Sequence, residues 1–227
     1  MARNVLGRMV LPLRSRAEGE GNGTMSLDEV CRRASEMASR METRVDDLRA
    51  LHAPRDLLSR VVLAAEVMGR DLEQLLALAG AEQTDRPSGV QMNQPDLYAF
   101  ALDNAIEGCL AESCRFVQTI DQSTDIDEVV NHRLTLMTDR ALAHAELCWD
   151  IHEWCMGQLS PQRGRHIRAA QRDRVGVLSS SDGGQAAATL QGLARRIDKD
   201  HRAAYSTLLI HRLFALVCGW NHWCARL

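Results

Sequence analysis

Lysine is almost missing from this chain: Lys199 is the only one among 27 basic residues, so arginine carries nearly all of the positive charge. A phosphate-binding loop ending in Gly-Lys-Ser/Thr is thereby all but excluded. Aromatic residues make up only 4%. Leu, Ala, Val and Met must therefore fill the interior, a mix that suits helices better than sheets. No stretch approaches the ~20 apolar residues of a membrane span. Paired Cys-x-x-Cys motifs, a Gly-x-Ser-x-Gly elbow and a Gly-x-Gly-x-x-Gly loop are all absent. The net charge of -3 argues against a whole-protein nucleic-acid binder, whose footprint would be basic.

What is present fits a folded chain. Hydrophobic residues are 45% and charged residues 25% of 227, close to globular averages, and the length suffices for a substantial core. Seven cysteines is an odd number, and most lie inside helical patterns, which favours reduced thiols and a cytoplasmic location. Arg3, Arg8, Arg14 and Arg16 stand in the first seventeen residues without an acid. A nuclear or organellar address is the alternative they suggest.

The pattern predicts an all-α protein: a single bundle of five or six long helices behind a flexible N-terminal arm over 1–24, which ends in the Gly/Glu-rich run AEGEGNG. Residues 25–227 form the bundle domain, with weak breaks at 81–95 and 175–184. Ser26 with Glu29 is a capping box, and Leu27, Val30, Ala34, Met37, Met41 and Leu48 carry an apolar stripe over 26–51 that Arg44 interrupts. Pro54 opens a second helix that ends near Gly80; it is apolar on more than one face and so is expected at the centre. Further helices are predicted over 96–121, 126–158 and from 185 to about 217. Pro161 and Gly164 are expected to stop the fourth.

Chemistry, if any, belongs to His144, Cys148, His152 and Cys155, which fall within about 80° around a helix axis. They cannot all ligate one ion, because a helix rises about 16 Å over that span while Zn–N and Zn–S bonds are about 2.0–2.3 Å. A metal or haem site would need the tail, where Cys218 and His222 repeat the i,i+4 spacing. Zinc or another transition metal bound by His144, Cys148, His152, Cys218 and His222 is thus one expectation. The competing one is that these residues are core, since a free Cys behaves as a small buried hydrophobe. No cofactor is expected on that reading.

The four tryptophans, Trp149, Trp154, Trp220 and Trp223, occur only in these two segments, which predicts that the segments meet. They either plug the end of the bundle or anchor a partner, Trp and Arg being enriched at hot spots. Arg165, Arg168 and Arg172 lie in the basic segment 161–174 and could touch phosphate or an acidic partner. With no catalytic set assembled, the sequence is read as a non-enzymatic intracellular helical interaction or regulatory protein that self-associates or holds a protein partner. A metal- or haem-binding enzyme or sensor is the alternative, and a nucleic-acid-associated regulator using 161–174 the second.

Overall fold

The computed structural model describes residues 26–80, 95–103, 106–121, 127–176, 186–192, 195 and 204–227. The expected arm and most of the two expected breaks lie outside them. Among the described residues there are helices and no strands. They are α1 (Leu27–Ala50), α2 (Arg55–Ala79), α3 (Leu97–Asp103), α4 (Ile106–Asp121), α5 (Glu128–Gln158), α6 (Pro161–Gly176), α7 (186–192) and α8 (Ala204–Arg226). That is more helices than the five or six expected, and α3 has only seven residues.

Local chemistry explains most of the boundaries. The Ser26 hydroxyl accepts from the Glu29 backbone N–H at 3.3 Å, as the capping box predicts. Asp127 caps α5 in the same way, accepting from Val129 N–H at 2.8 Å. Between α1 and α2, Ala53 N–H donates to the Leu48 carbonyl at 3.0 Å and His52 N–H to that of Arg49 at 3.1 Å. This is a Schellman ending with His52 in the left-handed position, at φ 56°. Gly80 ends α2 with φ 64°.

One boundary corrects the sequence reading. α5 does end at Gln158 ahead of Pro161, as expected, but Gly164 is not a stop: it lies inside a further helix, α6, that Pro161 opens. Pro161 occupies the first turn, where no N–H is needed, and the Ser160 hydroxyl accepts from Arg163 N–H at 3.4 Å. Gly164 is buried, and a Cβ built there would lie 3.6 Å from Met156 Cε.

The second correction concerns the centre. α5, not α2, is the hub: it packs against α1, α2, α3, α4 and α8. Its buried positions include Leu134, Met137, Leu142, Ala145, Ile151 and Cys155, which wrap more than one face. α2 leaves Leu63 and Leu78 exposed on its outer side. Asp71 of α2 meets Arg133 and Arg140 of α5, and Asp139 and Glu146 of α5 meet Arg212 of α8, so ion pairs flank the hub on both sides.

Candidate functional site

Where α1, α4 and α5 meet, the core contains a polar junction. Arg44, the residue that breaks the α1 stripe, is nonetheless buried, at 8% exposure. Its Nη1 lies 3.0 Å from His144 Nε2, and its Nη2 donates to both Glu112 oxygens at 3.2 and 3.1 Å. Arg40 reaches the same carboxylate at 2.9 Å from the outer side. The guanidinium is an obligate donor, so His144 Nε2 must accept, which fixes the proton on Nδ1. Burial first, and the Arg44 charge second, push the His144 imidazole down to about 3. His144 is a neutral acceptor across the physiological range.

Beside it, Cys109 of α4 and Cys148 of α5 place their Sγ atoms 2.8 Å apart, both wholly enclosed. The Cys109 S–H donates to Cys148, and that bond together with the Arg44 charge holds Cys148 below the ordinary thiol value against the effect of burial. Donation to Cys148, then burial, pushes Cys109 well up. The other buried thiols are ordinary core: burial raises Cys31 and Cys114 and lifts Cys155 to about 12.

The two Trp/Cys/His segments do meet, along α5 and α8. A Cβ on Gly219 would lie 2.9 Å from the Trp149 indole, so α8 approaches that ring as closely as glycine allows. His152 stands edge-on to Trp223 at a centroid distance of 6.1 Å, and Trp220 and Trp223 pack at 4.9 Å. Trp220 and Trp223 are buried and Trp149 and Trp154 half-buried, so no indole projects whole into solvent. The His152 Nε2 lies 3.3 Å from Gln171 Nε2 of α6, and burial lowers its pKa.

The proposed metal set is not gathered. His144, Cys148 and His152 are buried along α5, whereas Cys218 and His222 are exposed on α8. No group of three or more His, Cys, Asp or Glu with ligand geometry occurs among the described residues. The reason is the phase of α8: its inward positions are Leu213, Leu216, Val217, Trp220 and Trp223, and Cys218 and His222 fall on the opposite side.

On the surface, Arg165, Arg168 and Arg172 are exposed along α6, while Ile167 and Gln171 turn inward. Between α1 and α2 runs an open groove of about 650 Å³. Val45 and Ala65 are its buried floor, and Glu42, Asp46, Glu66 and Glu73 outnumber Arg49 and Arg70 along its walls.

Sequence reasoning missed Glu112 and Cys109 as partners of the α5 face, although Arg44 signalled them: a guanidinium on an apolar stripe needs a buried anion. No family model, no curated protein and no solved structure matches this chain.

Proposed function

We propose that this protein is a non-enzymatic helical interaction protein that self-associates by seating α6 of one copy in the α1–α2 groove of the next. The reading takes residues 25–227 as one bundle domain behind an N-terminal arm. The observation that carries it is charge complementarity within one molecule. The groove walls hold four carboxylates against two guanidiniums, and α6 displays Arg163, Arg165, Arg168 and Arg172 on its outer side. Among the described residues, none of those four arginines forms an ion pair. The polar groups that chemistry would need, by contrast, are enclosed between α1, α4 and α5.

A helix of one copy in a groove of another is a heterologous contact, which builds rings or open assemblies rather than a closed two-fold dimer. Complementary exposed charge sets the rate and specificity of such an encounter and is weakened by salt.

Analytical ultracentrifugation over a range of concentration and salt tests the reading. Oligomers should form at low ionic strength and dissociate in high salt. Arg165→Glu with Arg168→Glu should give a monomer, as should Glu66→Arg with Glu73→Arg. Mixing these two variants should restore oligomers, because each variant's helix is complementary in charge to the other's groove. A wild-type monomer at every concentration, or oligomers indifferent to both reversals, would defeat it.

The exposed arginines also favour a second reading, contact with nucleic-acid phosphates. It predicts duplex binding whose logarithm falls linearly with the logarithm of salt, with a slope that shrinks when Arg165, Arg168 and Arg172 are neutralised.

A further inference from the structure

The self-association reading leaves the Cys109–Cys148 pair unused, and its placement carries a chemistry of its own. We propose that Cys109 and Cys148 are a peroxide-responsive dithiol, closing to a disulfide that joins α4 to α5.

Three observations support it. Both cysteines are free thiols, on helices that pack side by side, with Sγ atoms 2.8 Å apart. A disulfide bond is about 2.05 Å long, so small side-chain adjustments complete it. The polarity of the pair is also set. The Cys109 S–H donates to Cys148, whose own S–H donates to the His144 carbonyl at 3.5 Å. The Cys109 bond first, and the Arg44 charge after it, hold Cys148 below the ordinary thiol value, which favours it as the attacking sulfur. Finally, charged side chains connect a surface groove to Arg44 beside the pair. An open groove of about 240 Å³ between α1 and α4 is lined by Arg40, Glu112 and Arg115, and Glu112 in turn binds Arg44. Neither sulfur lines that groove, so hydrogen peroxide must part these side chains to reach Cys148.

The reaction balances as follows. The Cys148 thiolate attacks one peroxide oxygen, the O–O bond breaks, and the departing hydroxide takes the proton that Cys148 released, leaving as water. Cys148 is now a sulfenic acid. Cys109 Sγ then attacks Cys148 Sγ; the S–S bond forms as the S–O bond breaks. The second hydroxide leaves with the Cys109 proton as a second water. Two thiols lose two electrons, and one peroxide is reduced to two waters. A small thiol such as dithiothreitol reverses the disulfide by exchange.

The test uses the full-length chain, reduced, desalted and treated with hydrogen peroxide, then unfolded, alkylated, digested and mapped by mass spectrometry. The expected result is a Cys109–Cys148 cross-linked peptide that dithiothreitol abolishes. In Cys109→Ser, Cys148 should instead accumulate as a sulfenic acid trapped by dimedone. The wild-type map does not depend on that variant folding. Two results overturn the proposal: Cys109 and Cys148 both still alkylated under conditions that oxidise the exposed Cys218, or Cys148 carried to sulfinic acid with no cross-link.

Discussion

Nη1 of Arg44 lies 3.0 Å from Nε2 of His144, across 100 residues of chain, and both side chains are buried. Each is an anomaly on its own apolar stripe, and each resolves the other. Glu112 supplies the anion that makes the buried guanidinium tolerable. Removing one member of a buried pair costs more than removing both, because the remaining group loses its partner without regaining water. Arg44→Met should therefore destabilise the chain, but by less than the ~3–5 kcal/mol of a fully orphaned buried charge, because Arg40 still pairs with Glu112. Arg44→Met with Glu112→Gln should cost less than Arg44→Met alone. Urea unfolding of the two variants decides this, and equal losses would show that the junction is not a coupled unit.

The same contact makes stability depend on pH. The folded imidazole of His144 sits at about 3, below the ordinary 6.5, with burial the larger cause and Arg44 the second. His152 is shifted in the same direction by burial. Between 6.5 and the folded value, the unfolded chain binds protons that the folded chain refuses, so stability falls as pH falls. Above about 7 both states are neutral and the effect vanishes. Unfolding midpoints should thus decline from pH 7 to pH 5, a window in which most carboxylates stay ionised. His144→Gln should flatten part of that slope; an unchanged slope would mean that His144 takes up its proton in the fold.

How much of this was legible follows the range of each interaction. Capping at Ser26 and the inward stripe of α1 are local, and their residues stand within a few positions of one another. The meeting of the Trp149 and Trp220 segments was inferable because tryptophan is scarce and occurs only there. Three features were not legible. Gly164 looks like a stop signal, yet it is buried inside α6, and a Cβ there would make only ordinary contact with Met156, at 3.6 Å. The choice of Cys109 as the partner of Cys148 depends on the rotation of α4 against α5, which spacing along either helix does not specify. Cys218 and His222 share a helical face with each other, but whether that face turns in or out depends on where Trp220 and Trp223 pack.

The close approach of α8 to α5 gives a steric prediction. A methyl group on Gly219 would sit 2.9 Å from Trp149 Cζ2 and 3.0 Å from its Cε2. Such contacts force the ring or the helix to move, and overpacking of this kind costs about 1–3 kcal/mol. Gly219→Ala should lower the unfolding free energy by that amount. Trp149→Leu, which removes the ring, should recover part of the loss in the double variant. If Gly219→Ala is neutral by urea unfolding, the α5–α8 contact is looser than described.

The α1–α2 turn offers a stabilising change. His52 adopts φ 56°, where a Cβ crowds the following carbonyl, and it does so because the Schellman pattern from Ala53 to Leu48 requires a left-handed residue there. Glycine meets that requirement without the clash, as Gly80 does at the end of α2 with φ 64°. The gain from removing the clash outweighs the extra freedom that glycine gives the unfolded chain, so His52→Gly should stabilise by about 0.5–1 kcal/mol. Gly80→Ala, the reverse change at the equivalent position, should destabilise by about 1 kcal/mol. Opposite shifts of the urea midpoint in the two variants would verify the turn geometry. A loss of stability in His52→Gly would mean instead that the imidazole makes a contact worth more than the backbone strain it imposes.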